Sequence, residues 1–203
     1  MAIFEDTSHN IWVGTDGGGV NKFDPETGSF TYLKHGASNK NSIAGNYVLV
    51  INQDSDGDLW MGNWADGISI LNAKTHTFSY LKNSPANPNS LPGDNIYAIT
   101  FTTDKKAWIS TYYKGLTSYD KKTKVFKNYK FDIDDPQSLS SDMIYSILED
   151  RNKNLWIGTY DGGLNLLDRK TNKFIRFQHD QSHNSISNNT VPDIFEAHDG
   201  KLW

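Results

Sequence analysis

The side chains that could do chemistry in this sequence are carboxylates, histidines and exposed aromatic rings. There is no cysteine among the 203 residues, which excludes thiolate nucleophiles, thiolate metal sites and a disulfide framework. Hydrolysis or elimination at a sugar bond needs two acids converging on one atom. Most acids here fall at recurring turn positions: Asp6, Asp54 and Asp150 in one set, Asp24, Asp120 and Asp168 in another. Such positions suit turn capping better than catalysis. Asp193 is the exception. It lies in the apolar run Val191–Phe195, where equivalent positions hold Val50, Ala98 and Ser146, so it is expected to face a ligand or water.

The remaining polar signals point away from metals and nucleotides. Asp54-Ser55-Asp56-Gly57-Asp58 superficially resembles a calcium loop, but glycine is missing from its sixth position and glutamate from its twelfth; it is expected to be a hairpin turn. The six histidines fall in loops. His179 and His183 are four apart on no helix and without a partner carboxylate, which argues against zinc. Gly17-Gly18-Gly19 precedes a strand, not a helix, so it is no dinucleotide fingerprint. No metal, cofactor or catalytic residue is expected. The aromatic candidates are better placed. Trp64, Tyr112 and Tyr160, with Tyr113 beside Tyr112 and Asp16 at the equivalent point, each sit four residues after a tryptophan that recurs along the chain. A row of rings in such turns suits stacking on sugars or on a partner domain.

The elements that must hold these residues come from an internal repeat. Trp12, Trp60, Trp108, Trp156 and Trp203 are spaced 48, 48, 48 and 47 apart. Around each complete copy recur an apolar-Gly-Thr run, a glycine before a second apolar run, Asp-x-x-Thr-x-x-Phe, a polar loop and Ser-[Leu/Ile]. In the last complete copy four strands follow: a (Ile144–Asp150), b (Leu155–Thr159), c (Gly163–Asp168) and d (Lys173–Gln178). The runs are short, rich in β-branched and aromatic residues, and bounded by Gly, Asn, Asp and Pro. Four strands per forty-odd residues is the period of a propeller blade. The fold class is therefore an all-β propeller of four-stranded antiparallel blades, with four complete blades and a partial fifth. It forms a single segment, 1–203, with repeats at about 1–41, 42–89, 90–137, 138–184 and 185–203. The periodic tryptophans are expected to pack between blades. The b–c turns and the long d–a loops (His35–Asn41, Lys82–Asn89, Lys130–Gln137, Gln178–Asn184) are expected to share one face, where ligands bind propellers.

The pattern Ser138-Leu-Ser-Ser-Asp142, Ile147-Leu-Glu-Asp150, Asn154-Leu-Trp-Ile-Gly-Thr159, Gly163-Leu164, Asp168, Thr171 and Phe174 closely resembles the two-component regulator propeller repeat. The resemblance covers nearly the whole chain. It implies the periplasmic sensor region of a bacterial hybrid two-component system, built as seven-bladed propellers, with glycan fragments as typical ligands. The kinase would lie outside this sequence, so no enzymatic activity is expected of the segment. The chain departs from the pattern at Ser110, at the Thr102–Lys106 turn and at Pro192, and it carries four complete units where the family has seven. It is expected to be cut from a longer circle. Closure as four blades, or pairing of two chains into eight, are the alternatives.

Composition bounds the partners. Net charge is -4 and no long block of like charge occurs, so neither nucleic acid nor membrane contact is expected. No apolar run approaches a membrane span, and no signal peptide is expected within the chain. An oligosaccharide ligand and self-association through exposed terminal blades are the expected partners. A protein-interaction scaffold is the alternative function, with a propeller lyase or hydrolase behind it.

Overall fold

The computed structural model describes residues 2–181 and 184–203. It holds sixteen strands in four antiparallel sheets and no helix among the described residues. The first sheet contains β1 (Ala2–Glu5), β2 (Ile11–Gly14), β3 (Val20–Asp24) and β4 (Ser29–Leu33). The second contains β5 (Val48–Gln53), β6 (Leu59–Asn63), β7 (Ile68–Leu71) and β8 (Phe78–Leu81). Next come β9 (Ile96–Phe101), β10 (Lys106–Thr111), β11 (Gly115–Asp120) and β12 (Val125–Tyr129). The last sheet holds β13 (Ile144–Glu149), β14 (Leu155–Thr159), β15 (Leu164–Asp168) and β16 (Lys173–Phe177). Each sheet runs a-b-c-d in chain order, which is the propeller-blade architecture the repeat predicts. By packing, the chain divides into two units, Met1–Phe101 and Thr102–Trp203.

The c–d hairpins share one local device. After strand c, the carboxylate or amide oxygen of Asp24, Asn72 and Asp120 accepts backbone N–H bonds from residues two and three further on; Asp168 accepts the Lys170 N–H and the Thr171 hydroxyl. The next corner takes positive φ, at Gly28, His76, Lys124 and Asn172. Between strands a and b, His9, Gly57, Lys105 and Lys153 do the same. This geometry reverses the chain tightly with the twist that paired strands require.

The periodic tryptophans are packed and also tied. Trp12, Trp60 and Trp108 are buried. The Trp12 indole donates to Asp6 at 2.7 Å, that of Trp60 to Asp54 at 3.0 Å and that of Trp156 to Asp150 at 2.9 Å. The same carboxylates accept backbone bonds from their own a–b turn. In the third repeat Thr102 stands where the others have Asp, and its hydroxyl accepts the Trp108 indole bond instead. The turn acids are thus structural, as their positions imply. Trp203 differs from its counterparts: it is 77% exposed.

Within each unit, successive repeats are joined through one Asn or Asp. In the first unit, Asn46 and Asp94 each do two things. Their backbone carbonyls accept the N–H of Gly19 and Gly67, both at 2.9 Å. Their side-chain oxygens accept the N–H of His35 and Asn83, at 2.8 and 2.7 Å. In the second unit Asp142 binds Gly115 and Phe131 identically, and Asn189 binds Gly163 and His179. Gly67 cannot be replaced freely: φ is +71°, and a Cβ there would lie 2.4 Å from the Leu81 carbonyl oxygen. Residues just before the a–b turn of the next repeat also contribute. The side chains of Gln53, Glu149 and Glu196 cap the backbone N–H of Thr7, Thr103 and Arg151 in the preceding a–b turn. In the first unit Trp12, Val20, Ile43, Val48, Ile51, Leu59 and Met61 form one buried cluster.

Two departures from the repeat have physical reasons. Ser110 replaces a glycine whose counterparts lie hard against strand a of the next repeat: a Cβ on Gly14 would sit 2.8 Å from the Val48 carbonyl oxygen. The Ser110 hydroxyl turns that approach into a hydrogen bond, donating to the Ile144 carbonyl at 2.9 Å. The second departure corrects an expectation. Val191–Phe195 forms no strand. Its counterparts Ile144–Ile147 pair with Ile157–Thr159, just beyond the periodic tryptophan, and the sequence ends at that tryptophan, Trp203; what forms is the hairpin from Phe195 to Trp203, with a bridge between Glu196 and Leu202.

Two predictions follow from these ties. Burial works against ionised Asp6 and Asp150, yet bonds from Trp12 and Asn10, and from Trp156 and Asn154, together with backbone N–H groups, outweigh it and hold both below the ordinary 3.8. A depressed folded pKa stabilises above the unfolded value, and that stability is lost as pH falls through the folded pKa. Asp6→Ala should therefore cost about 1–3 kcal/mol in urea unfolding at pH 7. The Asp6→Ala/Asp150→Ala pair should flatten the loss of stability below about pH 4; an acid limb like that of the wild type would contradict the role. Gly67→Ala should destabilise more than Gly28→Ala, whose Cβ would meet nothing within 4 Å, the latter costing about 1–2 kcal/mol for its backbone alone.

Candidate functional site

With the repeat accounted for, the positions where copies differ stand out. In the first unit the b–c turns bring three predicted or neighbouring groups into sequence. Asp16 forms an isolated bridge with Tyr47. The Trp64 backbone N–H donates to the Tyr47 carbonyl at 2.8 Å. The Trp64 indole meets Tyr97 edge-on, with centroids 6.1 Å apart and planes at 72°. Trp64 keeps 37% of its surface exposed and Tyr47 is exposed as well. Asp66, two residues on, lies against Gly45, where its carboxylate fills the place a side chain would take, and comes within 4.0 Å of Lys82. A carboxylate and three rings, Asp16, Tyr47, Trp64 and Tyr97, therefore follow one another along this unit.

The second unit carries a tyrosine cluster. Tyr112 and Tyr113 meet edge-on at 4.5 Å, and Tyr145 and Tyr160 at 5.7 Å and 76°. The Tyr160 N–H donates to the Met143 carbonyl, as Trp64 does to Tyr47 one repeat pair earlier. Its own carbonyl accepts the Thr190 hydroxyl. Tyr113 takes φ +51°, a conformation that side-chain-bearing residues rarely hold. The adjoining Tyr112 phenol, then burial, raise the Tyr113 pKa above 10, with Tyr160 and Asp161 adding to the effect. Tyr113 is thus a neutral hydroxyl donor at physiological pH.

Asp193 does not join either group. It is exposed, lies outside any strand, and its carboxylate accepts the N–H of Ile194 at 2.8 Å. The expectation that it projects from strand a is corrected, for want of the strand. Tyr47, Tyr97 and Tyr145 were absent from the candidates. Tyr97 and Tyr145 both precede a periodic tryptophan by eleven residues, and that recurrence was the available signal.

Among the described residues, two hollows lie at d–a loops, and a third is lined by Lys153, Asn154, Leu166 and Asp168 among others. One hollow of about 330 Å³ is lined by His35, Lys40, Ile43, Tyr80 and Lys82 among others. His35 Nδ1 lies 2.9 Å from the Ile43 carbonyl. Since a carbonyl only accepts, Nδ1 carries a proton, which leaves Nε2 as the outward atom. His179 makes the same bond to Ile186 at 2.8 Å, in the equivalent loop of the second unit. His183, the other half of the spaced histidine pair, lies outside the described residues. No group of three or more His, Cys, Asp or Glu side chains placed to hold a metal occurs among the described residues.

Comparison with known proteins agrees with this architecture. Residues 42–65 and 138–161 match the model of the two component regulator propeller. No curated protein sequence matches the chain significantly. Among solved structures, the chain aligns over its whole length with the extracellular domain of a protein named as a hybrid two component system from B. thetaiotaomicron. The TM-score is 0.63 at 20% identity. It aligns equally with PorZ, a surface component of the type-IX secretion system of Porphyromonas gingivalis, at TM-score 0.67 and 16% identity. A protein named as a gluconolactonase matches 98% of the chain at TM-score 0.63 and 11% identity. The chain spans 38% and 31% of the first two proteins, so it corresponds to about a third of each. The matched segments contain the Ser-[Ile/Leu], turn-acid and Trp positions whose bonds build each sheet, and over these segments the chain is similar to the two component regulator propeller.

Proposed function

We propose that this chain is a non-catalytic, ligand-sensing propeller segment of an extracytoplasmic receptor in bacterial two-component signalling, and that it recognises glycan fragments. The observation that carries the reading is the pairing of exposed aromatic rings on the b–c turns. Almost every other recurring side chain is consumed in holding a strand, turn or neighbouring repeat. Trp64 and Tyr160 depart from that economy: each keeps an exposed ring steadied by a second ring. A held ring offers a flat apolar face at small entropic cost. Asp66, Asp161 and the phenol hydroxyls around them suit the hydroxyl groups of a sugar. The structural likeness to sensor domains supports this through the fold, and the repeat match supports it through sequence.

Calorimetry of the chain against a panel of neutral and acidic oligosaccharides tests the proposal. At least one should bind, and Trp64→Ala or Tyr160→Ala should weaken it about tenfold, equivalent to about 1.4 kcal/mol. No binding across the panel, or binding indifferent to both substitutions, would sink the reading. Tyr113→Gly supplies a control for folding. It relieves a left-handed backbone costing about 1–2 kcal/mol, so thermal stability should hold or rise while any contact of the Tyr113 ring is lost. A marked fall in melting temperature would show that Tyr113 serves packing instead.

A further inference from the structure

One d–a loop has a property the others lack. Ile133, at the tip of the loop in the third repeat, is 81% exposed, the largest exposure of any big apolar side chain described. Three carboxylates, Asp132, Asp134 and Asp135, surround it in sequence. The loop does not hang free. Ser138 accepts the Asp132 N–H at 2.9 Å, Asp132 caps Asp134 and Asp135 caps Gln137. Arg176, from β16, clasps it from outside, donating to the carbonyls of Asp135, Ser138 and Leu139 and to the Ser138 hydroxyl. An apolar group fixed in the open by so many bonds gains nothing within its own chain.

The complement is present in the first unit. The hollow of about 330 Å³ has an apolar lining in Ala37, Ile43, Ala44 and the Tyr80 ring, and a cationic rim in Lys40 and Lys82. Its frame is fixed: Tyr80 donates to the Ser42 carbonyl at 2.6 Å and Ser42 accepts the Gly36 N–H. An isoleucine side chain fits such a volume, and the lysines face the sign of charge that flanks Ile133. The equivalent hollow in the second unit carries Asp180 where the first has Gly36, which disfavours an acidic loop. We propose that the chain associates head to tail with a second copy of itself, the Ile133 loop of one molecule seated in the His35–Lys82 hollow of another. A contact of one loop in one hollow is small, so the association is weak and transient. Such a heterologous contact leaves a loop and a hollow open at the two ends.

The absence of cysteine makes a direct test clean. Ile133→Cys and Ala37→Cys, prepared as separate single variants and mixed under mild oxidation, should form a mixed disulfide dimer. It should appear at least about tenfold faster than with Thr31→Cys, an exposed position away from the hollow, in place of Ala37→Cys; raised salt should slow it. Lys40→Glu in the Ala37→Cys chain should abolish the advantage. Asp134→Lys in the Ile133→Cys chain should then restore it, which damage to folding would not do. A trapping rate no greater than that of the control, or one untouched by Lys40→Glu, would overturn the proposal.

Discussion

The structure hangs on a polar residue fourteen positions before each periodic tryptophan from Trp60 onward: Asn46, Asp94, Asp142 and Asn189. Each one accepts through its carbonyl from the glycine that opens strand c of the preceding repeat, and through its side chain from the head of its own d–a loop. One residue therefore fixes a neighbouring sheet and a loop together. The side-chain bond needs an acceptor oxygen three bonds from Cα, which Asn and Asp supply. The b–c turns inherit their placement from this junction, because the glycine it binds sits three residues beyond Trp64, Tyr112 and Tyr160.

Rigidity and variation are consequently separated along each repeat. Tryptophan–carboxylate ties, capped corners and the Asn/Asp junction repeat with little change, and where one part changes another compensates. Thr102 takes over from an aspartate, and Ser110 converts a glycine's close approach into a bond. Variation is left to the b–c turns and the d–a loop tips. There a tryptophan, a tyrosine pair or an exposed isoleucine can be set without disturbing the sheet.

Much of this was legible in the sequence, for a physical reason. A period of 48 residues repeats every steric requirement of a blade, so the strands from Ile11 to Phe177 could be placed by comparing copies. Turn acids were recognisable because Asp and Asn side chains satisfy nearby backbone donors wherever a corner needs them. Two kinds of feature escaped. Asp142 was visible as part of the repeat, but its double bonding joins groups 11 and 27 residues away, which no local pattern expresses. The strand partners Tyr97 and Tyr145 looked like ordinary strand aromatics, since only pairing across strands turns them toward Trp64 and Tyr160. The expected strand over Val191–Phe195 shows the converse: apolar composition marks a segment fit to pair, but a strand forms only where its partner strand is present.

The junctions also set how the chain can fold. Side-chain bonds between successive repeats reach across at most 47 residues among those described, as from Asn52 to Ile99 or Arg151 to His198. Within each unit, a repeat therefore closes a loop of the same modest length onto its predecessor, at nearly the same entropic cost. Inside a unit one sheet can then template the next, with the cooperativity of nearest neighbours. A defect in one sheet is felt first by the sheet packed beside it.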